Sequence, residues 1–168
     1  MKVLFVCVEN AGRSQMAEAF AKRLGLVASS AGTIPAGKVN PTVVLAMKEK
    51  GIDVSDSVPK LLTVEMIDEA DLVITMGCSV EQVCPRPLVD RMRKNLLDWQ
   101  LDDPKAKTIQ EVRTIRDEIE RRVMGLSKGS PFAETDLQES DSGEGVVSSV
   151  DPQARRASTA NRRLISPR

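Results

Sequence analysis

Histidine and tyrosine are both absent from this chain of 168 residues, and aromatic residues make up only 2% of it. The lack of histidine excludes histidine acid–base catalysis and histidine metal ligands. Basic and acidic residues are equal in number, 24 of each, so no excess charge attracts nucleic acid or an anionic membrane. With so few aromatics, we expect a core of Val, Leu, Ile, Ala and Met. Cysteine, arginine and carboxylate groups remain available for chemistry.

Cysteine is scarce as well. Cys7, Cys78 and Cys84 are too few and too far apart for the disulfide framework of a small secreted protein. Without histidine they are also too few for a closed structural zinc site, which takes four ligands. No stretch reaches the roughly 18 apolar residues that span a bilayer, and no signal peptide pattern is present. We therefore expect a cytoplasmic protein with no bound metal or cofactor.

Strands and helices alternate along most of the chain. Apolar runs predict strands at residues 2–6, 27–30, 71–76 and 95–99. Helical patterns fall at residues 14–24, 41–50, 63–69 and 108–126. This alternation is typical of a three-layer α/β/α fold with a central four-stranded parallel sheet. We predict one folded domain over residues 1–126 and a disordered tail over residues 127–168, where apolar residues are sparse.

The most informative segment covers eight residues between the first apolar run and the first helical pattern. They are Cys7, Val8, Glu9, Asn10, Ala11, Gly12, Arg13 and Ser14. A tight loop here presents backbone N–H groups and a helix N-terminus to an anion, and the Arg13 guanidinium binds two of its oxygens. The same field favours the thiolate of Cys7. We predict an oxyanion loop over all eight positions, with Cys7 as the nucleophile.

Other residues of this loop have expected supporting roles. Ser14 is the candidate N-cap of the helix and can donate a hydrogen bond to the thiolate. Asn10 tolerates left-handed backbone, and Gly12 gives the backbone room for the same curvature. The alternative is that Cys7 is a small buried residue at a strand end, since free cysteines are usually inert.

Asp103 and the two later cysteines complete the set of candidate residues. In parallel sheets, ligands bind at the carboxyl ends of strands, which places Cys7, Cys78 and Asp103 on one rim. Asp103 is the predicted general acid for a leaving oxygen, with an Asx turn as the alternative and Asp102 as the less favoured acid. Cys78 and Cys84 are either a redox pair or two unrelated buried cysteines.

These motifs resemble one known family. The matching positions are residues 7 and 13–18 of the loop and helix start, 30–32, 71–78, 84–85, 99, 102–104 and 113–119. Together they resemble the thioredoxin-coupled arsenate reductases, which share the low-molecular-weight protein tyrosine phosphatase fold. The resemblance covers roughly residues 1–126. It implies a monomer that binds arsenate, or a phosphate-like oxyanion, and uses thioredoxin as its external reductant.

The resemblance also implies a relay of three cysteines. Cys7 attacks arsenate while Asp103 helps a hydroxide leave, and Cys78 then attacks the Cys7 adduct and releases arsenite. Cys84 moves the disulfide to the pair of Cys78 and Cys84, which thioredoxin reduces. Each later step is a thiol–disulfide exchange.

Two departures of this chain from the family concern the oxyanion loop and its neighbours. Some members have a second cysteine where Gly12 stands, a residue that the relay does not require. Some members bind a potassium ion near the Asn10 loop, and Lys60 occupies the position of an acidic ligand. We hypothesise that the Lys60 ammonium replaces that ion, with Glu18 and Ser30 still lining the pocket.

Two other functions compete with arsenate reduction. One is a low-molecular-weight protein tyrosine phosphatase, which hydrolyses phosphoesters through a cysteinyl-phosphate at Cys7. Such phosphatases commonly carry aromatic residues beside the acid, whereas this chain has no tyrosine and only Trp99 near Asp103. The other is a catalytically silent anion-binding or thioredoxin-partner module.

Overall fold

A computed structural model describes residues 1–77 and 86–129 of the chain. Cys78, Cys84 and the predicted tail beyond residue 129 lie outside the described residues. The strands are β1 Lys2–Cys7, β2 Val27–Gly32, β3 Leu72–Thr75 and β4 Leu96–Asp98. The helices are α1 Arg13–Arg23, α2 Pro41–Lys48, α3 Val64–Asp68, α4 Arg86–Met92 and α5 Ile109–Ser127, with a 3₁₀ turn at Arg93–Asn95.

The four strands form one parallel sheet in the order β2, β1, β3, β4. Side chains of β1 alternate between the two faces because successive residues of a strand point in opposite directions. Val3, Phe5 and Cys7 pack on the face covered by α1, α2 and α5, and Leu4 and Val6 pack on the face covered by α3 and α4. The predicted α/β/α fold with a four-stranded parallel sheet is confirmed.

Helix α5 illustrates how local sequence signals hold an element in place. Thr108 and Glu111 form a capping box at its N-terminus, which satisfies backbone N–H groups that have no helical partner. The apolar positions predicted for this helix are all buried: Val112, Ile115, Ile119, Val123 and Leu126. The predicted domain boundary at residue 126 falls in its last turn.

Some local predictions are wrong. Helix α4 was not predicted, since it has only seven residues and two buried positions, Val89 and Met92. Ser14 does not cap α1, because that helix already begins at Arg13 and the Ser14 hydroxyl contacts Cys7 instead. The core also contains aromatic rings, because Phe5 and Phe20 are among its largest fully buried side chains. Within residues 1–77 and 86–129, no helix is long and apolar enough to cross a membrane.

Candidate active site

Cys7 is the last residue of β1, and the oxyanion loop begins directly after it. The residue is only 4% exposed. Its sulfur lies 3.1 Å from the backbone nitrogen of Asn10 and 2.9 Å from Ser14 Oγ. Asn10 has a φ of 48°, the left-handed conformation that the sequence predicts for it. This turn of the backbone is what aims the Asn10 N–H at the sulfur.

A chain of buried polar groups runs behind the sulfur. The Asn10 amide nitrogen donates to Ser14 Oγ and to Ser30 Oγ, both at 2.8 Å. The Ser30 hydroxyl donates to Glu18 Oε2 at 2.5 Å. Because Ser14 Oγ accepts from Asn10, its own proton is free to point at Cys7. The chain therefore supplies a second oriented donor to the nucleophile.

The orientation of the Asn10 amide follows from its other neighbours. The backbone N–H of Lys60 donates to Asn10 Oδ1 at 2.8 Å, and Gln15 Nε2 lies 3.2 Å from the same oxygen. A backbone N–H can only donate, so the atom facing Lys60 must be the amide oxygen. The amide nitrogen is thereby directed toward the two serines. Gln15 and Lys60 thus fix the orientation of the Asn10 amide, and with it the direction of the hydrogen bonds toward Cys7.

Glu18 is the last group in this series of hydrogen bonds. It is buried, and two ammonium groups lie beside it. Lys22 Nζ lies 2.6 Å from Glu18 Oε1, and Lys60 Nζ lies 3.6 Å from the same oxygen. The structure thus places Lys60, Glu18 and Ser30 together, as the potassium hypothesis requires. Because Glu18 is paired with cations, its buried charge is compensated.

Arg13 joins the oxyanion loop to the ends of two other strands. Its Nη1 donates to the carbonyl oxygens of Met76 at 2.7 Å and Leu101 at 2.8 Å, and its Nη2 donates to Asp103 Oδ2 at 3.0 Å. The residue is only 6% exposed. The guanidinium is therefore held by backbone groups on one side and by a carboxylate on the other.

Asp103 forms the Asx turn that the sequence left open as one of two alternatives, and its role as the general acid stays a prediction. Its Oδ1 accepts the backbone N–H of Lys105 at 2.9 Å, which is an Asx turn, and its Oδ2 contacts Arg13. Its side chain remains 60% exposed. Asp102, the less favoured candidate acid, pairs with Lys107 at 3.4 Å and does not line the pocket described next.

A small pocket of about 40 Å³ opens above Cys7. A cavity needs roughly 10–15 Å³ to hold one water, so this pocket has room for an ion of a few heavy atoms. Its lining residues are Cys7, Val8, Glu9, Ala11, Gly12, Arg13, Asn40, Asp103, Pro104 and Lys105. The structure therefore brings the predicted nucleophile, arginine and acid to one pocket, while Asn10 and Ser14 lie behind it.

Three lining residues were not predicted: Asn40, Pro104 and Lys105. No signal in the sequence pointed to Asn40, which caps α2, whereas Pro104 and Lys105 directly follow the predicted acid. Gly12 itself has a φ of −142°, so it does not use the left-handed region that Asn10 adopts. A Cβ at Gly12 would instead lie 2.7 Å from Pro104 Cγ, so glycine is needed for close packing against Pro104. Among the described residues, no group of three metal-ligating side chains is present.

Comparison with known proteins agrees with this fold. The chain belongs to the low molecular weight phosphotyrosine protein phosphatase family, which it matches over residues 2–140. It is 40% identical over 136 residues to the arsenate reductase of Brevibacillus brevis, covering 79% of this chain and 94% of that protein. It is also 37% identical over 128 residues to the glutaredoxin arsenate reductase of Synechocystis, covering 74% of this chain and 95% of that protein.

A solved structure of an arsenate reductase in the phosphate binding state is similar as well. It superimposes with a TM-score of 0.65 at 38% identity, covering 77% of this chain and 98% of the other. The resemblance to arsenate reductases with the low-molecular-weight phosphatase fold is therefore confirmed.

Proposed function

We propose that this protein reduces arsenate to arsenite, with Cys7 as the nucleophile. The observation that supports this most is the arrangement of Cys7 and Arg13 around a pocket of about 40 Å³, since one supplies the attacking sulfur and the other the positive charge for an oxyanion. Relatives named as arsenate reductases align with most of the chain. Asp103 holds Arg13 Nη2, so an incoming oxyanion competes with that carboxylate for the guanidinium.

The chemistry begins with attack of the Cys7 thiolate on arsenic. A bond forms between sulfur and arsenic, the arsenic–oxygen bond breaks, and Asp103 donates a proton so that the oxygen leaves as water. Cys78 then attacks the Cys7 sulfur. A disulfide forms, the sulfur–arsenic bond breaks, and its electron pair stays on arsenic, which leaves as arsenite. The two cysteine sulfurs are oxidised and arsenic is reduced by two electrons.

The enzyme is then restored by two further exchanges. Cys84 attacks Cys78, which returns Cys7 to its thiol and leaves a disulfide between Cys78 and Cys84. An external dithiol protein reduces this bond, and we propose thioredoxin for that role. One similar protein is named a glutaredoxin arsenate reductase, so glutaredoxin is the second reductant to test. Both cysteines of this pair lie outside the described residues, and their part in the relay rests on the family resemblance.

Phosphatase activity is the second candidate function, and membership of a phosphotyrosine phosphatase family favours it. In that case Cys7 attacks the phosphorus of a phosphate ester, the alcohol leaves, and water hydrolyses the resulting cysteinyl-phosphate. The pocket argues against an aromatic ester, because none of its lining residues carries an aromatic ring. Trp99 is 5% exposed and packs 5.9 Å from Phe5, measured between ring centroids, so it belongs to the core.

The test follows NADPH consumption with arsenate, thioredoxin reductase and thioredoxin, and in a second arm with glutathione, glutathione reductase and glutaredoxin. We expect multiple turnovers for the wild type in one arm and a single stalled turnover for Cys84→Ser. Mass spectrometry of the stalled variant should find a disulfide between Cys7 and Cys78. Cys7→Ser is the matched control, since it has the same kind of substitution and should show no turnover at all.

The two candidate functions predict opposite results. Absence of arsenate-dependent NADPH loss in both arms, together with equal ester hydrolysis by the wild type and Cys84→Ser, would contradict arsenate reduction and support the phosphatase. Turnover with glutaredoxin but not with thioredoxin would support arsenate reduction and contradict only the proposed reductant.

A further inference from the structure

The loop that carries the acid lies directly on the oxyanion loop through three consecutive residues. Asp103 contacts Arg13, and Lys105 contacts Glu9. Between them Pro104 packs on Gly12, where the space for a Cβ is already taken by the proline ring. The two loops are therefore docked along their length. This docking helps to explain why the pocket above Cys7 is small.

The outermost of these contacts is an ion pair at the pocket mouth. Lys105 Nζ lies 2.5 Å from Glu9 Oε1, and the two residues are 96 positions apart in sequence. Their side chains are 68% and 43% exposed, whereas Cys7 at the floor of the same pocket is buried. Glu9 and Lys105 both line the pocket, so their contact bridges its two sides at the solvent end.

The direction in which the leaving group departs determines which substrates this ion pair affects. In an in-line displacement the leaving group departs opposite the attacking atom. With the Cys7 sulfur at the floor, the leaving oxygen must face the mouth. A free oxyanion carries only hydrogen on that oxygen, whereas a phosphate ester carries its organic group there. An ester must therefore extend into the space that the Glu9 and Lys105 side chains bridge.

We propose that the ion pair of Glu9 with Lys105 is a specificity determinant, which favours free inorganic oxyanions and disfavours phosphate esters. This proposal deepens the proposed arsenate reduction and rests on it for its biological meaning. The pair is also nearly neutral as a unit, so the Glu9 carboxylate does not repel an anion as an unpaired charge would. The hydrogen bond to Glu9 raises the pKa of Lys105, which keeps its ammonium charged.

Binding measurements test this without any reductase chemistry. Calorimetry on the reduced full chain compares inorganic phosphate with phenylphosphonate, whose phenyl ring stands where an ester has its organic group. The variant is Glu9→Ala with Lys105→Ala, which removes both side chains and leaves the net charge unchanged. We expect the ratio of the two dissociation constants to shift about two- to fivefold in favour of phenylphosphonate, the range of an exposed ion pair.

The matched control is Asp68→Ala with Arg91→Ala. That ion pair is likewise exposed, with a 2.6 Å separation, and does not line the pocket. The dissociation constants of both ligands should therefore stay as in the wild type. A second measurement keeps the wild type intact and raises the salt concentration. Salt screens exposed charges, so the ratio of the two dissociation constants in the wild type should shift in favour of phenylphosphonate. The ratio in the Glu9 and Lys105 double variant should not change with salt.

Equal changes for both ligands in the Glu9 and Lys105 variant, or no change in their ratio, would overturn the proposal. The same holds if salt leaves the wild-type ratio fixed. These results are independent of arsenate turnover. A protein that discriminates between the two ligands yet fails to reduce arsenate would retain the specificity determinant and lose the proposed function, and the reverse outcome is equally distinguishable.

Discussion

Two buried arginines, Arg13 and Arg116, have similar surroundings and yet different roles. Each is 6% exposed, and each donates to both a backbone carbonyl and a carboxylate. Arg116 Nη1 holds the Ala46 carbonyl at 2.8 Å and Glu49 Oε2 at 2.9 Å, and its Nε donates to Asp117 at 2.8 Å. It thereby joins α5 to α2.

The difference between them lies in their carboxylate partners. Glu49 also binds Arg113, and Asp117 also binds Lys50. The charges around Arg116 are therefore balanced by other side chains of the protein itself. Among the described residues, Arg13 has a single carboxylate partner, Asp103, and this contact lies beside a pocket that contains a cysteine. A buried arginine therefore indicates a ligand site when one of its anionic partners can be replaced from solvent.

The largest expected effect comes from Arg13→Lys. An ammonium cannot reproduce the planar fork that binds two oxygens. We expect kcat/KM for arsenate to fall by about 100-fold or more, as for removal of a preorganised donor at a developing charge. NADPH-coupled assays measure this loss, and urea unfolding checks the fold. A loss in kcat/KM smaller than about threefold would show that Arg13 does not bind the oxyanion.

Arg116→Lys is the matched substitution, and its effect should fall on stability. The single ammonium of lysine gives up the Ala46 carbonyl or one of the carboxylates, and an unsatisfied buried acceptor costs about 1–3 kcal/mol. Urea unfolding at neutral pH measures the change in free energy of unfolding. Turnover of arsenate should remain within about twofold of the wild type. If activity fell as strongly as in Arg13→Lys, the distinction between the two sites would be lost.

A smaller effect should appear in the pH dependence of stability. Hydrogen bonds from Arg113 and Arg116 lower the pKa of Glu49 from 4.5 to about 2. Because the pKa is lower in the folded state, the contribution of Glu49 is complete above pH 4.5 and is lost as the pH falls toward 2. The urea midpoints of the wild type and Glu49→Gln should therefore differ most at pH 6, and the difference should shrink steadily as the pH falls from 4.5 toward 2. A constant difference would contradict the shift.

The sequence predicted the parts of the site that depend on local backbone. The strand end at Cys7, the left-handed Asn10 and the pairing of Arg13 with an oxyanion loop all belong to one short segment. The buried face of α5 followed in the same way from its helical spacing. Local patterns of this kind need no knowledge of the rest of the chain.

Contacts between distant segments could not be predicted in this way. The packing of Pro104 on Gly12 and the bridge from Lys105 to Glu9 depend on how the loop after β4 folds back onto β1. Ser14 is a mixed case. The sequence predicted its contact with Cys7, whereas the predicted helix cap is wrong because the helix already starts at Arg13. Helix α4 depends likewise on packing beside α3.

The smallest expected effect concerns Glu18, the carboxylate behind the oxyanion loop. Like Glu49, it is paired with two cations of the chain, here Lys22 and Lys60, so we propose that it needs no external ion. Arsenate turnover should be the same in potassium and sodium chloride at equal ionic strength. Lys60→Ala removes one ammonium, and this variant should become the one that responds to potassium. A clear gain of the wild type in potassium would show that Glu18, unlike Glu49, still accepts a cation from solvent.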